Sequence, residues 1–165
     1  HFKPFSLVIV WATSYAFLHH YYNIRFVEEV DSLKLDIDKA NDFITTHFAW
    51  ITLLTIPFYA LASFIVFRKQ AYNFMEHLVL NAYLSAQRLS LHILLFPLVC
   101  KTNGTPNESK TTLALLLLDL IFIIWTNTQF FNKLPKIKAF LYSLLSYLLF
   151  VVFIVVIILI AEISF

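Results

Sequence analysis

Apolar residues fall in long blocks along this chain, and short polar stretches separate the blocks. Each block is about 20 residues long, which is the length of helix that crosses the hydrocarbon core of a bilayer. The pattern therefore predicts an all-α fold, an integral membrane helical bundle of about five transmembrane helices. We expect the spans at about residues 4–22, 48–67, 72–100, 111–131 and 139–163.

A different pattern occupies residues 26–45, between the first two spans. Apolar positions recur there at steps of three and four, which is the period of one face of an α-helix. The same stretch holds six of the ten acidic residues of the chain. We expect one extracytoplasmic amphipathic helix that lies on the bundle or on the membrane surface. The whole chain then forms a single transmembrane domain.

Composition agrees with this class of protein. The chain is 60% hydrophobic and only 13% charged, whereas a soluble domain carries roughly 25% charged residues. A net charge of +2, scattered along the chain, predicts no nucleic-acid surface. There is one cysteine, so no internal disulfide can form, and there is one glycine. Close packing of helices must therefore depend on alanine and serine instead of glycine motifs.

The third predicted span is far more polar than the others. Charged groups in hydrocarbon are costly and turn toward protein or water, so we place this span inside the bundle. Six of its polar residues recur at steps of three and four and form one stripe, about 28 Å long at ~1.5 Å per residue. The stripe consists of Asn73, His77, Asn81, Ser85, Arg88 and His92, and Glu76, Tyr83 and Gln87 flank it.

The stripe has two interpretations. It is either a polar path or pocket for an ion, a proton or a small solute, or a hydrogen-bond network between helices that only fixes their packing. An alternative topology has four spans, with residues 72–87 lying at the membrane interface.

The fourth span carries one charge, Asp119. Counted along the helices, Asp119 and His92 lie about 12 Å from the same end of the bundle, and Arg88 lies about 18 Å from it. We therefore predict that Asp119 pairs with Arg88 or His92. The alternative is a protonated Asp119. With Asp119 included, the predicted intramembrane polar network is Asn73, Glu76, His77, Asn81, Tyr83, Gln87, Arg88, His92 and Asp119.

Basic residues predict the orientation. Arg68, Lys69 and Lys133 lie in short loops without acidic residues, whereas the lysines and arginines of the opposite side are mixed with acids. By the positive-inside rule the N-terminus is cytosolic. Residues 26–45 and the C-terminus then lie outside.

No motif for catalysis is present in the sequence. His19, His20 and His47 gather where the first two spans meet the outer surface, and imidazole is a common zinc ligand. Histidines without a metal are commoner at membrane interfaces, so we expect no metal and no cofactor.

Two segments resemble the membrane part of an uncharacterised bacterial family. They are HFKPFSLVIVWATSYAF, residues 1–17, and FYALASFIVFRKQAYNFMEHLVLNAYLSAQRL, residues 58–89. In that family a zinc ribbon and a basic tract precede a multi-spanning domain of unknown function. The resemblance implies a bacterial inner membrane and a chain that is the C-terminal part of a longer protein, but it implies no activity. The layout is also similar, in span count, to Yip-type membrane proteins.

We therefore expect a membrane scaffold or assembly factor of unknown activity, with a buried polar network on the third span. The alternative is a transporter or channel component, and an enzyme has the least support. The expected partners are the lipid bilayer and a second copy or another membrane protein, with no nucleic acid. Contact between the stripe and water discriminates transport from scaffolding.

Overall fold

The computed structural model describes residues 3–24 and 37–164, and within these ranges the chain is helical with no strand. A single 3₁₀ turn, Arg68–Gln70, joins the second and third helices. The predicted all-α fold is confirmed. The five helices are α1 (Pro4–Tyr21), α2 (Ile37–Val66), α3 (Phe74–Thr102), α4 (Glu108–Phe130) and α5 (Lys136–Ser164).

Four of these helices are long and apolar enough to cross a membrane, within Asn41–Val66, Phe74–Thr102, Glu108–Phe130 and Lys136–Ile157. α1 is not among the four, and a fifth span stays a prediction. Its last turn contains His19 and His20, which lower its apolar content.

The structure bears on two details of the predicted layout. The four-span alternative placed residues 72–87 at the membrane interface, whereas α3 is one continuous helix from Phe74 to Thr102, as the expected span at 72–100 requires. Residues 37–45 of the predicted amphipathic helix are the first turns of α2 instead of a separate element. Residues 26–36 of that prediction lie outside the described residues.

The packing order defines a ring of four helices with one helix outside it. α2 packs on α3 and α5, and α4 packs on the same two helices. α1 packs on α2 and α3 from outside. Short connections make neighbouring helices antiparallel. We call the end of the bundle with residues 67–73 and 131–135 the basic end, and the end with residues 103–107 the loop end.

Small residues lie at the helix contacts. This agrees with the prediction that, with a single glycine in the chain, close packing depends on alanine and serine. Ala12 of α1 and Ala82 and Ala86 of α3 are fully buried in one cluster. On α5, Ser143 and Ser146 are fully buried, and their hydroxyls donate to carbonyl oxygens of their own helix. Small side chains let backbones approach closely, which increases van der Waals contact where no hydrophobic effect separates helix from lipid.

The start of α3 is fixed by a capping box at the basic end. The Asn73 side chain accepts a hydrogen bond from the backbone N–H of Glu76 at 2.9 Å, and the Glu76 carboxylate accepts one from the backbone N–H of Asn73 at 2.7 Å. The first N–H groups of a helix lack partners within it, so these side chains satisfy them.

This cap predicts a measurable loss of stability. Asn73→Ala removes the acceptor for the Glu76 N–H and should lower the free energy of unfolding by about 1 kcal/mol. Unfolding of purified protein in mixed detergent micelles, followed by circular dichroism, measures the change. Asn132→Ala, at an exposed asparagine of the same end of the bundle, is the control. An equal effect of the two substitutions would contradict a specific role for the cap.

Candidate functional site

An ion cluster joins α3 and α4 within the bundle. Arg88 donates from a terminal guanidinium nitrogen to Asp119 Oδ2 at 2.5 Å, and His92 Nε2 lies 3.0 Å from Asp119 Oδ1. Arg88 and His92 are four residues apart, so they lie on the same face of α3. Asp119 therefore contacts both predicted partners at once, one with each carboxylate oxygen.

Aromatic side chains of α1 cover this cluster on one side. The Tyr15 ring lies 5.8 Å from the His92 ring and 4.6 Å from the His19 ring, measured between centroids. Phe96 of α3 packs edge-on against His19 at 5.3 Å. His19 also contacts the Ile24 carbonyl through Nδ1 at 3.2 Å. α1 thus forms one wall beside the charged groups.

The ion cluster lies at the base of a cavity that we call the vestibule. The vestibule has a volume of about 770 Å³ and reaches the loop end, where Thr102, Glu108 and Thr112 line it. Apolar side chains of α4 form its wall. Its base is formed by Tyr15, His19, Arg88, His92, Asp119 and Tyr147.

A second polar group lies nearer the basic end. His77 is fully buried, and its Nδ1 lies 2.7 Å from Ser63 Oγ of α2. The rings of Phe64 and Phe131 pack against the imidazole at 5.7 and 5.4 Å. Asn81 donates to the His77 carbonyl at 2.7 Å. This group is separated from the vestibule by a layer that contains Leu84 and Ile123 of one apolar cluster.

Aromatic rings close the basic end beneath His77. Phe67 stacks on Phe131 with 3.9 Å between ring centroids and an angle of 12°, and both side chains are buried. Tyr142 and Tyr72 pack edge-on against this pair at 5.7 and 5.4 Å. We call Phe67, Tyr72, Phe131 and Tyr142 the aromatic plug.

In the contacts found among the described residues, the nine predicted network residues fall into separate groups. Asn73 and Glu76 cap α3, because the unpaired N–H groups of its first turn take their side chains. Tyr83 and Gln87 lie on the exposed face of α3, because a helix turns their positions away from the stripe. The other five residues form two groups, His77 with Asn81 and Asp119 with Arg88 and His92.

The buried polar residues that were not predicted from the sequence include Tyr59, Ser63 and Asn127, and also Ser143 and Ser146 of α5. Each lies within an otherwise apolar block, where an average over the block conceals it. Asn127 had one available signal, since it lies eight residues after Asp119 and therefore near the same face of α4.

In the part of the chain that the structure describes, no three His, Cys, Asp or Glu residues are grouped to hold a metal ion. His47 contacts the carbonyl of Phe43 on its own helix at 3.0 Å. No family model, no curated protein and no solved structure matches this chain. The resemblance of residues 1–17 and 58–89 to an uncharacterised bacterial family stays a prediction.

The ion cluster predicts an energetic coupling between Arg88 and Asp119. Arg88→Gln and Asp119→Asn should each destabilise the bundle, because each leaves an opposite charge without its partner. Together they should cost less than the sum of the single changes by about 1 to 3 kcal/mol, between the values for exposed and buried pairs. A double-mutant cycle of unfolding in detergent micelles measures the difference. Gln87→Ala combined with Asp119→Asn is the control cycle, and a coupling no larger than in this control would refute the pairing.

Proposed function

We propose that the protein is a transport component of a bacterial inner membrane, which moves a small polar solute or an ion through the bundle. The observation that supports this function is the vestibule with the ion cluster at its base. From Glu108 at its mouth to Asp119 is 11 residues, or about 16 Å along α4. Ionisable residues at such depth are costly, and they characteristically mark pathways of substrates and ions.

Exposure of the charged side chains favours transport over packing. The side chain of Arg88 is 33% exposed and that of His92 is 19% exposed, and both line the vestibule. A network that served only to fix helix packing would be enclosed on all sides. Access from the loop end and closure by the aromatic plug at the basic end are the two features of a transporter that is open to one side.

The proposed orientation places the basic end in the cytosol. Arg68 and Lys69 lie in one connection of this end and Lys133 in the other, which fits the positive-inside rule. The N-terminus is then cytosolic and the vestibule opens to the outside. In this topology α1 is a fifth span, antiparallel to α2.

A scaffold or assembly factor is the second candidate function. It is favoured by the second half of α5, where Leu148, Val152 and Val156 are exposed and the described residues are almost all apolar. Such a surface suits lipid, a second copy of the chain or another membrane protein. Scaffolding does not require water in the vestibule, so hydration discriminates the two functions.

The test is thiol labelling at two neighbouring leucines. Leu116 and Leu117 are both 48% exposed, but of the two only Leu116 lines the vestibule. In a Cys100→Ser background, Leu116→Cys should react with a charged, impermeant thiol reagent about ten times faster than Leu117→Cys, because the reactive thiolate forms in water and is suppressed in an apolar environment.

The side of the membrane is part of the same experiment. Reagent added to the outside of sealed vesicles of known orientation should label Leu116→Cys, and reagent trapped inside should not. Equally slow labelling of both leucine positions would mean that the vestibule is dry, and scaffolding would replace transport as the better proposal.

A further inference from the structure

Four buried polar atoms between the ion cluster and the aromatic plug have no close hydrogen-bond partner among the described residues. They are the Tyr59 hydroxyl, for which the Ser146 side chain of α5 is a more distant hydrogen-bonding neighbour, Thr126 Oγ1, Asn127 Nδ2 and His77 Nε2. They come from α2, α4 and α3. An unpaired polar group in a membrane interior is unfavourable, so a small hydrogen-bonding molecule is expected beside each atom. Water is the smallest such molecule.

The side chains of Tyr59, Asn127 and His77 lie at successive levels of the bundle. Tyr59 packs with Leu84 and Ile123, which are four residues from Arg88 and Asp119 in the direction of the basic end. Four residues of helix rise about 6 Å. Asn127 is one further turn along α4, and Phe131, whose ring contacts His77, is one turn beyond Asn127.

The axial rise between these levels, counted along the helices, is close to the span of one bridging water. Two hydrogen bonds of ~2.8 Å let one water connect groups that are about 5.6 Å apart. The rise between neighbouring levels is nearly the same. The series of polar groups therefore begins at Arg88 and Asp119 and ends at the imidazole of His77. The Tyr59 hydroxyl and Asn127 lie between them.

We propose that the inner half of the bundle is a proton relay from the vestibule to the basic end. This proposal rests on the transport function above and names the conducted ion. Water in the vestibule passes a proton to the Tyr59 hydroxyl, which releases its own proton to the next water. Asn127 donates a hydrogen bond from Nδ2 and so positions that water.

His77 carries the proton across the last level. A proton that binds at Nε2 forms the imidazolium, which then releases the proton on Nδ1 to Ser63 Oγ, 2.7 Å away. Ser63 in turn releases its hydroxyl proton to water of the basic end, which reaches Ser63 when the stacked rings of Phe67 and Phe131 separate. One proton has then moved. His77 is left neutral with its proton on Nε2, and proton exchange must return that proton to Nδ1 before the next transfer.

The layer around Tyr59 makes the relay selective. Leu84 and Ile123 are almost completely buried there, so a metal cation would have to lose its water shell against apolar side chains, at a high cost. A proton passes by exchange along hydrogen bonds and needs no such opening. The stacked rings of Phe67 and Phe131 separate Ser63 and His77 from water at the basic end, and they are the gate of the relay.

The experiment measures proton flux in proteoliposomes that contain a trapped pH indicator. A potassium gradient with valinomycin drives proton entry, and vesicles without protein give the background. Phe67→Ala opens the gate and should raise proton flux at least about tenfold above background, since positioned proton-transfer groups contribute that much or more. Adding Tyr59→Phe to Phe67→Ala should return the flux to background, because the isosteric ring lacks only the hydroxyl.

Matched variants separate the relay from a general leak. Tyr83→Phe, on the exposed face of α3, should leave the flux of Phe67→Ala unchanged. His77→Gln should abolish that flux, whereas His47→Gln, at an exposed histidine, should not. Circular dichroism and gel filtration confirm that each variant is folded before reconstitution.

Three results would overturn the relay. The first is a flux of Phe67→Ala at background, and the second is a flux that persists with Tyr59→Phe. The third is potassium flux through Phe67→Ala without valinomycin, which would indicate a water-filled pore. If Leu116→Cys is accessible but no proton flux occurs, the relay alone fails and transport stands. If Leu116→Cys is inaccessible, the transport proposal fails first.

Discussion

The pairing of Asp119 with Arg88 and His92 is the interaction on which the rest of the bundle depends. A carboxylate in hydrocarbon is tolerated only when opposite charge and hydrogen bonds satisfy it. Because each carboxylate oxygen has its own partner on α3, the contact fixes which turns of α3 and α4 lie opposite each other. A slip by one turn would leave at least one charge unpaired.

This fixed register sorts the remaining polar groups of the two helices. The residues one turn nearer the basic end are Leu84 and Ile123, which pack together with Tyr59. The next turns bring the buried amides of Asn81 and Asn127 to a similar depth, by helix counting. The bundle is therefore layered, with a charged layer, an apolar layer that holds one hydroxyl, and a neutral polar layer.

The thickness of a bilayer sets the length of an apolar block, which made the all-α fold predictable from the sequence. The depth of each charged residue along its helix made the ion cluster predictable. Apolar blocks locate the long helices, although α2 begins at Ile37, well before the span expected at 48–67. A charge inside a block requires a partner at a similar depth, which identified Arg88 and His92 for Asp119. Two kinds of contact were not predictable, namely local hydrogen bonds at helix ends and side-chain packing between connections. Asn73 caps the first turn of α3, because the Glu76 N–H group of that turn lies within hydrogen-bond distance of its side chain. The stacking of Phe67 on Phe131 depends on how two connections meet in space, which periodicity does not encode.

The two ends of the bundle differ in what fills the space between α1 and α4, the two helices that flank α3. α1 packs on α2 and α3, whereas α4 packs on α3 and α5, so the loop end keeps a wedge lined by Tyr15 and Leu116. At the basic end large aromatic rings fill the corresponding space. The Asp119 contacts hold α4 to α3 between these ends. A rearrangement could close the wedge and separate the rings while keeping those contacts. Such a rearrangement would pivot α4 about the ion cluster. Asp119, Arg88 and His92, which are the costliest groups to leave unpaired in a bilayer, would then remain paired throughout.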